Sequence, residues 1–314
     1  MIMQKNYQNL ENFLEKNKVT YNKNRPFKEC TNFSVGGIVD LYVTVKNIDE
    51  LLSLLVFLNK NNIKYFVIKD KNKFLVSDDG YDGYDGVIIS MEGSFEDFEF
   101  LDDCVLKANS SAILERLSHE ARIRNLSGLE FVAMVNSRIE SAIYGELESF
   151  GISFMNIVET LTVLYQDLMI IKDISKNEYL YSSIDIKDNM IILSATLRLE
   201  KDSPESIDNR IEWFRYIRGS VAPMEANIGP VFEDFDNIKA YEMVERVGGL
   251  DMKAGTMRWH KRFPNYIVNE CVYIDNCSTN MSKVSDVLSL IDDTKKKIEQ
   301  HYALNPKINI KLLS

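Results

Sequence analysis

The sequence predicts an α+β protein built in two parts. Three observations predict it. At 314 residues the chain is long enough for about two domains of ordinary size. Short β-rich runs mix with amphipathic helical stretches, without a strict βαβ repeat and without G-x-G-x-x-G, which disfavours a doubly wound dinucleotide fold. A polar, proline-containing break, Lys201 to Glu205 (KDSPE), separates the two halves. The expected organisation is an N-terminal lead over 1–24, a first domain over 25–200 and a second over 206–314.

In chain order, Val39 to Val45 (VDLYVTV) alternates as a strand does. Asn47 followed by Glu50 is a capping pair, and the run after it reads as a helix with a wide apolar face, ended by Asn61-Asn62. Tyr65 to Ile68, Phe74 to Val76 and Val87 to Ile89 are short strands around a polar interruption, Lys69, Asp70, Lys71, Asn72 and Lys73. Cys104 to Ala108 is a strand, after which Asn109-Ser110-Ser111 is expected to cap a helix running to Arg124. A helix is expected over 136–150, and strands over 158–165, 168–171 and 191–199. Beyond the break come helices over 207–218 and 238–247, a strand over 265–273, a long amphipathic helix over 281–302 and a closing strand over 308–313.

Apolar residues make up 45% and charged residues 27%, as in a protein with a real core. A net charge of -10 argues against a nucleic-acid surface, which needs concentrated Lys and Arg. The polar N-terminus lacks the apolar middle of a signal peptide, and no apolar run reaches membrane-spanning length. The expectation is a cytoplasmic protein with no membrane insertion. Cys30, Cys104, Cys271 and Cys277 form no C-x-x-C, so reduced thiols and no zinc are expected. The repeat Tyr81 to Gly86 (YDGYDG) lacks the ligand spacing and distal Glu of a calcium loop and reads as tight turns. His260, in RWHKRF, has the chemistry of a catalytic base but reads as a surface residue in a basic turn.

Six segments, in order, resemble the UDP-N-acetylenolpyruvoylglucosamine reductase (MurB) family. Thr31 to Gly37 (TNFSVGG) is similar to the family's T-T-F-x-I-G-G, and Ser127 to Phe131 reproduces S-G-L-E-F. Ile192 to Leu197 is similar to the strand leading out of its flavin domain. Gly229 to Phe232 resembles G-S-V-F, Asn265 to Asn269 resembles N-F-I-V-N, and Leu304 to Ile308 resembles the terminal L-x-P-E-V. The match covers about residues 25–313. It implies a two-lobed FAD-binding domain of the vanillyl-alcohol-oxidase (PCMH) type, followed by a MurB-like C-terminal α+β substrate domain. It also implies a reaction in which NADPH reduces FAD and the flavin passes hydride to an enolpyruvyl double bond. A serine then protonates the carbanion, while a glutamate and an arginine stabilise the enolate.

The departures from the family pattern fall on the chemistry. Its glycine loop G-x-G-S-N aligns with Lys69 to Lys73, where β-carbons block the close approach of backbone N–H groups to a pyrophosphate. Its I-P-G-T-V-G-G-A aligns with Val135 to Ala142, so Asn136, Ser137, Arg138, Glu140 and Ser141 stand in the second flavin segment with no glycine among them. The proton-donor serine aligns with Pro230, the terminal glutamate with Lys307 and the arginine of Y-R-x-S with Tyr181. The lysine and asparagine that help hold the UDP diphosphate align with Glu233 and Asp234. The framework residues Gly36, Gly37, Ser127, Gly128 and Glu130 are kept, and a structural role is expected for them.

Two functional expectations follow. In the first, the chain keeps the reductase fold without FAD or reductase activity and acts as a binding or regulatory protein, with a partner in the cell-wall or division machinery. In the second, it is an active NADPH- and FAD-dependent flavoenzyme with relocated catalytic groups. No metal is expected in either.

Overall fold

The computed structural model describes residues 7–31, 33–68, 74–78, 86–181, 190–223, 225–273 and 282–313. The lysine-rich loop Lys69 to Lys73, the YDGYDG repeat up to Asp85, and Cys277 lie outside the described residues. The helices, in chain order, are α1 (Gln8–Lys16), α2 (Ile48–Lys60), α3 (Leu114–Ile123), α4 (Ile139–Tyr144), α5 (Lys176–Tyr181), α6 (Pro204–Val221), α7 (Ala240–Arg246) and α8 (Val284–Tyr302).

The chain divides into two compact units that do not follow chain order. One comprises Met1–Tyr21, Val43–Asp70 and Ile89–Arg218, and the other Asn22–Tyr42, Lys71–Ile88 and Gly219–Ser314. A four-stranded sheet has the order Thr20–Pro26, Ile38–Val45, Val87–Met91, Tyr65–Val67.

The first unit is organised on a five-stranded sheet. Its order is Ile170–Ser175, Val158–Tyr165, Met190–Arg198, Val105–Asn109, Phe98–Phe100, with antiparallel neighbours throughout. Leu106, Ala108, Leu161, Val163, Ile192, Ala195 and Leu197 point from it into one apolar core. α3 contributes Leu114, Leu117 and Ala121, its i, i+3, i+7 stripe. The capping pair before α2 forms as expected: Asn47 Oδ1 accepts from the Glu50 N–H at 2.9 Å, and Glu50 Oε2 accepts from the Lys46 N–H at 2.8 Å. The expected serine cap of α3 does not form. Ile113 precedes the helix without a side-chain cap, because Ser111 instead donates its hydroxyl to the Met91 carbonyl at 2.8 Å. The helix expected over 136–150 is shorter, and Glu148–Ser149 then pairs with Ile152–Ser153 in a small hairpin.

The second unit holds the sheet Asn227–Pro230, Tyr266–Asn269, Met257–Trp259, Lys253–Ala254. α7 and α8 share its core, with Val284, Val287, Ile291 and Ile298 of α8 packed with Trp259, Phe232, Met243 and Val244. Phe33, Val35 and Leu75 enter the same core, which is why these early segments belong to this unit. Lys311–Leu313 pairs in parallel with Phe74–Val76. Gly37 is required where it stands: a Cβ there would lie 1.9 Å from the Ser77 carbonyl oxygen.

Among the described residues no helix is long and apolar enough to cross a membrane. The expectation of four reduced thiols is corrected at Cys271, which is disulfide-bonded; Cys30 and Cys104 are free.

Candidate functional site

The second unit brings four of the family-like segments together around Phe232. Asn265 is 8% exposed and pairs with Phe232 in both directions: its Oδ1 accepts from the Phe232 N–H and its Nδ2 donates to the Phe232 carbonyl, each at 2.9 Å. Asn269 donates to the Phe33 carbonyl at 3.0 Å and accepts from the Cys271 N–H and the Ser282 hydroxyl at 3.1 Å. Ile308 bridges to Phe232, while the Val231 carbonyl and the Glu233 N–H bond the backbone at Asn309 and Lys307. The two asparagines are therefore fastenings between backbone segments.

The sequence-predicted residues here fall into defined places. Pro230 ends the strand Asn227–Pro230, opposite Tyr266, and carries no proton to donate. Lys307 Nζ lies 3.8 Å from Glu233 Oε2. Asp234 is engaged locally, since Oδ1 accepts from the Ala240 N–H at the start of α7 and Oδ2 faces Lys239 Nζ, both at 2.8 Å. Lys239, then the Ala240 N–H, hold the Asp234 carboxyl below its ordinary range.

His260 is not the surface side chain expected from sequence. Its Nδ1 accepts from the N–H groups of Arg262 and Phe263, at 3.1 and 3.0 Å, which leaves the ring proton on Nε2, directed at Glu225 Oε1 3.3 Å away. It ties the turn after Trp259. Glu225 is held below the usual carboxylate range by its own backbone N–H and by His260.

In the first unit, the segment 135–142 is closed by its own chain. The N–H groups of Ile139 and Glu140, at the start of α4, donate to the carbonyls of Ala112 and Ser110 at 3.0 and 2.9 Å, and the Ser137 carbonyl accepts from the Leu114 N–H. Arg138 folds inward, donating to the Met91 carbonyl and to Ser111 Oγ at 3.1 Å, with Glu96 3.6 Å away. Glu140 and Ser141 are buried, Glu140 at 2% exposure, whereas Asn136 faces solvent. An anion entering here would meet a buried carboxylate and find two backbone donors already committed. These residues do not fit the pyrophosphate of a flavin.

The Ser127-Gly128-Leu129-Glu130-Phe131 segment is organised by Glu130, 5% exposed. Its carboxylate accepts from the Gly128 N–H at 2.7 Å and from Arg210 Nε and Nη2 at 3.0 and 2.8 Å. The same guanidinium reaches Ser127 Oγ at 3.2 Å and Asp202 at 2.6 Å. Gly128 sits at φ +125, where a side chain would be strained. Nothing in the sequence pattern singles out Arg210 or Asp202. An Arg six residues into a helix, with an Asp at the preceding break, is too common a pairing to be read as a signal.

Tyr181 is the last residue of α5, and its side chain lies outside the described residues. Its neighbour Tyr179 donates its hydroxyl to the Val158 carbonyl, and burial, then the charge of Glu159, push its pKa up to about 12. Among the described residues no group of three or more His, Cys, Asp or Glu is arranged to hold a metal ion.

The UDP-N-acetylenolpyruvoylglucosamine reductase of Syntrophomonas wolfei is 25% identical over 310 residues, 98% of this chain and 99% of the relative. That of Lachnoclostridium phytofermentans is 24% identical over 313 residues, 98% and 96% of the two chains. The crystal structure of UDP-N-acetylenolpyruvylglucosamine reductase (MurB) from Thermus caldophilus superposes with a TM-score of 0.74 at 18% identity, covering 94% of this chain and 99% of that one. The chain is similar to the UDP-N-acetylenolpyruvoylglucosamine reductases over nearly its whole length. No family model matches it. Its fold is that of MurB, an α+β architecture with a PCMH-type domain and a C-terminal α+β domain. Gly37, Gly128, Glu130, Asn265 and Asn269 hold their backbone segments by the contacts described above.

Proposed function

We propose that this protein is a MurB-fold paralogue without FAD binding or reductase activity, acting in the cytoplasm as a binding or regulatory protein. The observation that carries the reading is the closed segment 135–142: Arg138 bonded inward, Glu140 buried, and the N–H groups of Ile139 and Glu140 spent on Ala112 and Ser110. Pro230 and Lys307 support it, since Pro230 has no side-chain proton to donate and Lys307 carries a positive charge where the resemblance implies a glutamate's negative one. The partner is a protein, and by kinship with enzymes of peptidoglycan precursor synthesis one of the cell-wall or division machinery.

The test is the visible absorption spectrum of the purified protein before and after incubation with FAD and desalting. No flavin band is expected in either sample, and no NADPH oxidation with UDP-N-acetylglucosamine enolpyruvate when FAD is added. A retained flavin band overturns the absence of FAD binding, and substrate-stimulated NADPH oxidation overturns the absence of activity. Arg138→Gly with Glu140→Gly opens the segment but leaves Pro230 and Lys307, so FAD turnover by this variant would also count against the reading.

A further inference from the structure

α6 carries two aromatic side chains on its solvent side. Trp213 is 54% exposed, and Tyr216, one turn further along, is 82% exposed. A single exposed apolar side chain is ordinary surface. Two on one helix face, with one braced from beneath, form a ridge.

Trp213 is held in place. Its ring meets Phe214 edge-on, with centroids 5.0 Å apart, and Phe150 lies 6.3 Å away. Phe214 is 5% exposed and belongs to the core of the first unit. Phe150 packs on Phe214 at 5.2 Å, and the Arg218 guanidinium stands 5.2 Å from the Phe150 ring centroid while donating to the Phe131 carbonyl. Phe150 and Gly151 are the two loop residues of the small hairpin, at φ +58 and +75. Glycine takes such a φ readily, whereas phenylalanine does so against its own Cβ. Here that strained residue props an exposed tryptophan. A Trp and a Tyr already fixed in place lose little freedom on burial, which suits them to anchor an interface.

Beside the ridge, Glu212 and Arg215 are exposed on one flank of α6, both on the wall of a cavity shared with α3. We propose that the ridge is the contact between two copies of the chain, packed α6 on α6 in antiparallel sense about a two-fold axis. Such a contact sets one surface against itself. With the axis at the middle of the 213–216 turn, Trp213 covers the partner's Tyr216, and Tyr216 covers the partner's Trp213. The two-fold reverses chain direction but keeps each flank facing its own copy, so Glu212 comes within reach of the partner's Arg215, and Arg215 of the partner's Glu212. A uniformly acidic or basic partner would meet one of these charges with its like, whereas a second copy matches both. The contact does not depend on whether the protein binds flavin.

Sedimentation equilibrium of the full-length protein between about 1 and 100 μM tests it. A monomer–dimer equilibrium with a dissociation constant on the order of 10 μM is expected, at the weak end of specific interfaces. Trp213→Ala and Tyr216→Ala should each weaken the dimer about tenfold, with unchanged far-ultraviolet circular dichroism. Glu212→Arg and Arg215→Glu should each weaken it severalfold, and the chain carrying both exchanges should return toward the wild-type constant, because the antiparallel pairing restores opposite charges across the axis. A protein that stays monomeric at about 100 μM, a dimer indifferent to both alanine substitutions, or a double exchange that restores nothing would each overturn the proposal.

Discussion

Lys307 and Glu233 lie 3.8 Å apart on neighbouring segments whose backbones are also joined, the Glu233 N–H donating to the Lys307 carbonyl at 3.1 Å. The reductase pattern that the sequence resembles has a glutamate and a lysine at these positions, so the resemblance implies a pair whose signs are exchanged and still complementary.

The first prediction concerns this pair. Both side chains are largely in water, so their attraction is worth under about 1 kcal/mol. Glu233→Lys and Lys307→Glu should each cost less than about 1 kcal/mol, and the double exchange should return to wild-type stability within about 0.5 kcal/mol. Urea melts of the four proteins give the cycle. On the proposed reading the double variant should gain no reductase activity, because Pro230 has no side-chain proton to donate.

Arg210 is expected to matter far more. It is the common partner of Glu130, Asp202 and Ser127, and its loss strands a nearly buried carboxylate. Arg210→Gln should cost about 1 to 2 kcal/mol near neutral pH, between the scale of an exposed ion pair and that of a buried one, since Glu130 is buried but Arg210 is partly in water. Arg210, then the Ser203 N–H, hold the Asp202 carboxyl below its ordinary range. A depressed carboxyl stabilises the fold above its unfolded pKa of about 4, and that contribution disappears as pH falls through the folded value. The gap between wild type and Arg210→Gln should therefore narrow on acidification below about pH 4. A gap independent of pH down to acid unfolding would assign the loss to packing instead.

Much of this protein is legible in its sequence, for reasons that differ from place to place. The Asn47 and Glu50 cap is local, and three residues suffice to specify it. The apolar stripes of α3 and α8 repeat at helical spacing and face cores as their pattern requires. The short strands Phe98–Phe100 and Met257–Trp259 are not legible, because three residues carry almost no periodicity. α4 ends sooner than its expected span because Gly145 follows Tyr144 as its C-cap and Glu146 takes positive φ, a stop that the longer apolar pattern masks in the sequence. Among site residues, Pro230 and Lys307 declare their chemistry by type alone. Arg138 does not, since its inward turn onto Met91 and Ser111 depends on a segment nearly fifty residues away in sequence.

Asn265→Ala should be among the most damaging single changes in the second unit. It removes two hydrogen bonds to Phe232 and leaves a buried N–H and a buried carbonyl unsatisfied. A cost of about 3 kcal/mol is expected, from about 1 to 3 kcal/mol for each stranded group less local relaxation. Asn265→Asp keeps the acceptor but loses the donor, and should fall between wild type and alanine near neutral pH. Thermal melts rank the three, and an alanine variant as stable as wild type would remove the fastening role assigned to Asn265.

The last prediction lies on the alkaline side. Tyr179 donates to the Val158 carbonyl, and burial, with Glu159 nearby, raises its pKa to about 12. An unfolded tyrosine ionises near 10. A raised pKa means that the folded state holds the proton longer than the unfolded chain does. The stabilisation is complete below about pH 10 and is lost as pH rises toward the folded value. Tyr179→Phe removes the phenol from both states, so its stability should fall less steeply than wild type across that interval. At neutral pH it should lose about 1 kcal/mol, the hydrogen bond to Val158. Urea midpoints taken between neutral pH and about pH 11 read both effects, and parallel curves for the two proteins would show that Tyr179 ionises as easily in the fold as outside it.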